Sequence, residues 1–247
     1  MEISTNIILA VRQFLDDFVS KETILTERAV DRYVHTYTKN YRVTFNNYDI
    51  YLACGLTKLC LTFHDIEDFV IKIPLIHDMT IEAEEELISS SQEKIKSNDY
   101  NFYEEDKSDD YCAIETGYFA DADEMGIGDF FAKEERISEY KGIPIYAQER
   151  VKCSFYDSDR WSDEENPEVQ NEIEAITQDL YLYDGAEDLF INGSKIFLED
   201  VYCFSDSPEQ FVQLLCFLSD MGINDLHNEN FGYDFRGRPK IFDYSGF

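Results

Sequence analysis

The last part of the sequence holds side chains whose types and spacing could do chemistry. The run Gly222-Ile223-Asn224-Asp225-Leu226-His227-Asn228-Glu229-Asn230-Phe231-Gly232 is followed by a turn, Asp234-Phe235-Arg236-Gly237. A short strand, Pro239-Lys240-Ile241-Phe242, then leads into Asp243-Tyr244-Ser245-Gly246. Two strands joined by that turn would carry Asp225, Asn230 and Asp243 towards one end. Mg²⁺ is a hard cation that prefers oxygen ligands, and an Asn carbonyl with an Asp carboxylate can hold it against phosphate oxygens. A further carboxylate can accept a hydroxyl proton. The plain alternative is a hairpin with polar turn residues, since such triplets also arise by chance in an Asp-rich chain.

A second chemical group lies far upstream, in Phe69-Val70-Ile71-Lys72-Ile73. Alternation along a strand turns Lys72 to a different face from its β-branched neighbours, where its ammonium could meet phosphate oxygens. A solvent-facing or edge lysine is the ordinary alternative.

The elements that must position these groups are legible from periodicity. Ile7, Ala10, Val11, Phe14, Leu15 and Phe18 predict a helix from Asn6 to about Val19, with Ser4 or Thr5 as cap, and a second helix follows from Glu22 to about Tyr37. The period then changes: Ile50-Tyr51-Leu52 and Leu59-Cys60-Leu61-Thr62-Phe63 read as strands joined through Cys54-Gly55-Leu56-Thr57-Lys58, and 69–73 as a third strand ended by Pro74. A glutamate-rich helical stretch begins near Thr80 and merges into a polar, exposed insertion, 80–110. From Tyr111, the stripe Ile114, Tyr118, Ala122 and Met125 predicts a helix closed by Gly126 and Gly128. Phe130-Phe131-Ala132 and Ile143-Pro144-Ile145-Tyr146-Ala147 read as two more strands. Beyond an acidic connector, Ser154 to Asn171, a helical segment runs to about Tyr183. Another helix starts at Pro208 behind the cap Ser207, buries Phe211, Leu214, Leu215 and Leu218, and ends at Gly222.

In this order of elements, Asp-Leu-His-Asn-Glu-Asn (225–230) followed by Ile-Phe-Asp-Tyr-Ser-Gly (241–246) resembles the catalytic loop and metal-binding loop of the protein-kinase-like superfamily. The D-x-H-x-x-N form is similar to that of aminoglycoside and other small-molecule kinases. The resemblance implies that Asp225 is the catalytic base and that Asn230 and Asp243 are metal ligands. Val70-Ile71-Lys72-Ile73 resembles the third-strand lysine motif of the same superfamily, which implies contact between Lys72 and nucleotide phosphates. Kinase-like sites tether this lysine to a helix glutamate; Glu115 is the choice here, with Glu84, Glu85 and Glu86 as alternatives. Gly55, Thr57 and Lys58 would form the phosphate-covering loop, although one glycine stands where protein kinases usually have three. By order, Gln148, Glu149, Arg150 and Val151 would be the hinge that reads adenine through backbone groups. The implied cofactors are ATP and Mg²⁺.

The resemblance covers about Ile50 to the end. It implies an α+β, kinase-like two-lobe fold with a five-stranded antiparallel N-lobe sheet and a truncated, mainly helical C-lobe. The expected organisation is an N-terminal helical extension over 1–45, an N-lobe over 46–151 that includes the insertion, and a minimal C-lobe over 152–247. Ile223 and Asn224 stand where protein kinases have a His-Arg pair, so control by activation-loop phosphorylation is not implied. With Phe247 as its last residue, the chain would lack an activation segment and the later helices on which peptides dock.

Composition bounds the partners. A chain of 247 residues, 44% of them hydrophobic, can bury a sizeable core. Its net charge of -31 argues against binding duplex nucleic acid or an anionic membrane, so any basic pocket must be local. Cys54, Cys60, Cys112, Cys153, Cys203 and Cys216 form no CxxC pair and read as reduced core residues, while His35, His64, His77 and His227 lack zinc-ligand spacing. No basic region precedes an apolar run at the start, and no run is long enough to span a bilayer, so a cytoplasmic location is expected.

Two functions stay open. One is a compact phosphotransferase that uses Mg²⁺ and ATP on a small molecule or a partner protein. The other is a catalytically silent binding or inhibitory protein, a pseudokinase acting through its acidic surface. Small acidic kinase-like chains look similar to hypothetical proteins of bacteriophages, so a virion or host-takeover component in a bacterial cytoplasm belongs to this second reading. An acidic α+β protein with coincidental motifs is the bland alternative.

Overall fold

The computed structural model describes residues 3–76, 81–97, 110–153, 166–178, 180, 194–223, 226 and 229–244. Among these the order of elements is α1 (Thr5–Glu22), α2 (Glu27–Tyr37), β1 (Arg42–Phe45), β2 (Tyr48–Cys54), β3 (Lys58–Phe63), β4 (Phe69–Pro74), α3 (Ile81–Ser97) and α4 (Tyr111–Glu124). There follow β5 (Glu134–Tyr140), β6 (Ile143–Glu149), β7 (Lys152–Cys153), α5 (Pro167–Thr177), α6 (Ser194–Phe204), α7 (Pro208–Asp220), β8 (Phe231–Tyr233) and β9 (Pro239–Ile241). The fold class is therefore α+β. The chain divides into two compact units: Met1–Ala113 with Glu134–Glu149, and Ile114–Lys133 with Arg150–Phe247.

In the first unit α1 forms because its apolar residues recur at helical spacing. Ile7, Ala10, Val11, Phe14, Leu15, Phe18 and Val19 are all buried on one stripe. It ends where Thr23 adopts φ 74° and donates its N–H to the carbonyl of Val19. This break moves the start of α2 from the expected Glu22 to Glu27, where the Thr26 hydroxyl accepts from the N–H of Ala29 at 3.2 Å. Phe14 meets Tyr33 of α2 edge-on, with ring centroids 5.9 Å apart.

Both helices bury their stripes against one face of an antiparallel sheet of order β1-β2-β3-β4-β6-β5. The sheet has six strands, not five. The additional edge strand, β1, comes from the segment expected to be helical extension; it pairs with β2 through Asn46 and Asn47, whose φ values of 48° and 65° suit a tight hairpin. A second correction concerns β5. Phe130-Phe131-Ala132 is not a sheet strand: Gly128–Phe130 forms a single 3-10 turn, and the strand beside β6 is Glu134–Tyr140. Its sequence, Glu-Glu-Arg-Ile-Ser-Glu-Tyr, suits an edge strand and shows little apolar alternation.

The second unit is built on α5, α6 and α7, whose Ile173, Phe197, Leu198, Val201, Phe211, Leu214, Leu215 and Leu218 share one core. The expected cap of α7 is present: the Ser207 hydroxyl accepts from the N–H of Gln210 at 3.3 Å, Pro208 opens the helix, and Gly222 follows it with φ 67°. α6 was not expected. The buried line of α4 is Cys112, Glu115 and Ala122 instead of the stripe through Met125, which is 41% exposed. β7, β8 and β9 form a small antiparallel sheet. Beside it, Phe131 makes a parallel bridge to Ile241, so the apolar run expected to be a strand lies against β9. Cys112 is buried, whereas Cys54 and Cys203 are exposed, which corrects the expectation of a core position for those two. No helix among the described residues is long and apolar enough to cross a membrane.

Candidate functional site

Alternation along β3, β4 and β6 gives the six-stranded sheet two unlike faces. Leu59, Leu61, Ile71, Ile73, Ile145 and Ala147 point into the core formed with α1 and α2. The intervening residues Lys58, Lys72, Tyr146 and Gln148 therefore belong to the opposite face, and each is buried. The register sets their neighbours: Lys72 lies opposite Cys60 on one side and Tyr146 on the other, and Gln148 lies between Val70 and Glu134.

Lys72 is 3% exposed, and its Nζ stands 3.3 Å from Oε2 of Glu134, itself 1% exposed. The same Oε2 accepts a hydrogen bond from Nε2 of Gln148 at 2.8 Å. Lys72 and Glu134 sit on strands that flank β6, so the lysine stem must cross that strand to reach the carboxylate. Two strand spacings amount to roughly 9–10 Å, within the combined reach of these two side chains. Burying two charges is costly in isolation, and the ammonium and the carboxamide offset part of that cost by both meeting Oε2 of Glu134. Glu134 was not singled out in the sequence. The signal was its place at the first residue of β5, opposite Gln148.

Glu115 is fully buried on α4 and lies in the part of that helix that belongs to the second unit. Glu84 has another engagement: it accepts from the Thr26 hydroxyl at 3.0 Å and from Arg28 Nη1 at 2.9 Å, tying α3 to α2. Glu85 and Glu86 are exposed. At the β2–β3 turn, the N–H of Gly55 donates to the carbonyl of Lys58 at 3.0 Å, and Thr57 and Lys58 are buried. A Cβ on Gly55 would meet only the Lys58 carbonyl oxygen, at 4.0 Å, so the turn does not require glycine there. Glu149, the last residue of β6, is half-buried opposite Phe69; Val151, in the second unit, is also half-buried.

In the second unit, the β8–β9 ladder pairs Phe231 with Ile241, and the N–H of Phe242 donates to the carbonyl of Asn230 at 2.8 Å. Asn230 and Asp243 thus leave the ladder at the same end, as their spacing predicted. Asn230 is buried and Asp243 is exposed. Asp243 has φ 57°, a left-handed conformation that an Asp tolerates but that costs about 1 kcal/mol or more. The turn at the other end is held by Asp234, which accepts from the N–H groups of Arg236 and Arg238 and from Nε of Arg238 at 2.6 Å. Asp225, the expected base, lies outside the described residues.

Among the described residues no group of three or more His, Cys, Asp and Glu side chains could hold a metal ion. Asn230 and Asp243 nevertheless supply one amide and one carboxylate at one ladder end, a donor set that fits Mg²⁺, which takes few protein ligands and completes its shell with phosphate and water. No family model, no curated protein and no solved structure matches the chain.

Proposed function

We propose that the chain is a compact kinase-like protein that binds Mg²⁺ and ATP and transfers a phosphoryl group to a small molecule or a partner protein. The observation that carries this reading is Lys72: a buried ammonium on the non-core face of an antiparallel sheet, fixed to a carboxylate instead of floating in solvent. In a chain of net charge -31, a cation placed this way is a local exception that suits phosphate oxygens. The left-handed Asp243 beside Asn230 adds support, because residues held in sparsely populated conformations cluster at functional sites. Lys72 would receive phosphate oxygens and Asn230 and Asp243 would hold the metal. Asp225 would accept the proton of the attacking hydroxyl. Bound Mg²⁺ would neutralise charge on the phosphates.

Titration with ATP and Mg²⁺ while the melting temperature is followed tests binding. A saturable rise that Asp243→Ala abolishes is the expected result, and no rise in the unaltered chain overturns the reading. Transfer of labelled phosphate, lost in Asp225→Asn, tests catalysis. Binding without transfer leaves the silent, pseudokinase form.

A further inference from the structure

The contact between β4 and β5 carries more than the presence of a lysine. We propose that Glu134, itself held by Gln148, is a positioning residue that aims Lys72 at phosphate from the strand side. This inference rests on the proposed nucleotide site.

Three observations converge. Glu134 Oε2 lies 3.3 Å from the ammonium of Lys72, and both side chains are almost wholly buried. That same oxygen accepts from Gln148 Nε2 at 2.8 Å, so the carboxylate has a second hold besides the lysine. Gln148 and Glu134 are direct cross-strand partners, and Lys72 and Gln148 both lie on strands in register, so the trio is set by the sheet ladder. A Lys side chain has several rotatable bonds, and fixing it in advance lowers the entropy lost when an anion arrives.

The trio also makes a chemical distinction. Its only function towards a nucleotide is to place one positive charge, so it should matter for ligands with phosphate and not for a nucleoside. Inorganic tripolyphosphate with Mg²⁺ offers the phosphate chain alone, adenosine offers base and sugar alone, and ATP offers both.

The experiment uses the full chain, unaltered and with Glu134→Gln or Gln148→Leu, and measures the affinity for Mg²⁺–ATP, Mg²⁺–tripolyphosphate and adenosine by calorimetry. Circular dichroism and melting without ligand report folding. Gln148→Leu keeps the ion pair and removes only the second hold on the carboxylate, so it stays informative if Glu134→Gln fails to fold. The expected result is a Kd for ATP and tripolyphosphate raised about tenfold or more by Glu134→Gln and about threefold by Gln148→Leu, with adenosine unchanged. Unaltered ATP affinity in a folded Gln148→Leu chain overturns the inference while leaving the nucleotide site standing. An equal loss for adenosine and ATP overturns it too, since that marks a purely structural role. If the unaltered chain binds none of the three, the proposed function falls and this inference falls with it.

Discussion

The hydroxyl of Tyr146 donates to Oδ2 of Asp110 at 2.6 Å, while Oδ1 of the same carboxylate accepts from the N–H of Ala113 in the first turn of α4. The sheet face that bears Lys72 is thereby tied to the start of a helix. Tyr146→Phe removes one donor from this carboxylate and adds no cavity. The expected cost is about 1–2 kcal/mol, seen as a lower urea midpoint. Asp110→Ala should cost at least as much, because it also removes the helix cap.

Tyr146 and Tyr33 make the fold sensitive to alkali. Burial, and then hydrogen bonding to Asp110 and Asp17 respectively, holds both phenols protonated well above the ordinary value of 10.0. A group whose pKa is raised in the folded state contributes stability that is fully present below the unfolded value and is lost as pH rises beyond it. The melting temperature should therefore fall as pH is taken above about 10, where unfolded tyrosines ionise first. Tyr33→Phe should lower stability at pH 8 and make the alkaline decline shallower.

Asp243 separates backbone strain from chemistry. With φ 57°, its backbone is one that glycine adopts freely and a β-branched residue resists. Asp243→Gly should leave stability unchanged or slightly raised while abolishing any response to Mg²⁺–ATP. Asp243→Val should lose the same response and cost about 1–2 kcal/mol besides. Equal melting of the two variants would show that the left-handed backbone is not enforced.

Where local pattern and tertiary position agreed, the sequence was legible. The stripe of α1, the Ser207 cap with Pro208, the central strands β2, β3, β4 and β6, and the shared end of Asn230 and Asp243 all followed from period, cap and turn chemistry. The edge strands escaped for two reasons: β5 is largely polar and shows little apolar alternation, whereas β1 alternates, with Val43 and Phe45 packed on the core, but over only four residues. Phe130-Phe131-Ala132 misled in the opposite sense. Its apolar residues are buried in the core of the second unit, where a 3-10 turn and a single bridge to Ile241 suffice, without a full ladder. The Lys72–Glu134 contact was out of reach for a further reason. It depends on register across three strands, and no local window contains all of them.

The β8–β9 turn should govern the proposed metal ligands, Asn230 and Asp243, at the ladder's other end. Asp234 is nine-tenths or more buried and makes three hydrogen bonds, two of them to backbone N–H groups of Arg236 and Arg238. Burial works to raise its pKa, but these bonds and the Arg238 guanidinium outweigh it and hold the carboxyl below its ordinary value. A depressed carboxylate contributes stability above the unfolded value, and that contribution is lost as pH falls through the folded one, so the hairpin should loosen only well into acid, below about pH 4. Asp234→Asn keeps the shape and can still accept from the backbone, so it should cost about 1 kcal/mol; Asp234→Ala leaves two N–H groups and an arginine without their acceptor, and should cost about 2–3 kcal/mol. If the hairpin positions Asn230 and Asp243, Asp234→Ala should also weaken the Mg²⁺–ATP melting shift although Asp234 is at the far end of the ladder. Hydrogen exchange at the Phe242 amide, whose bond to Asn230 closes that end, would report the coupling: faster exchange in Asp234→Ala with an undiminished nucleotide response would separate the turn from the site.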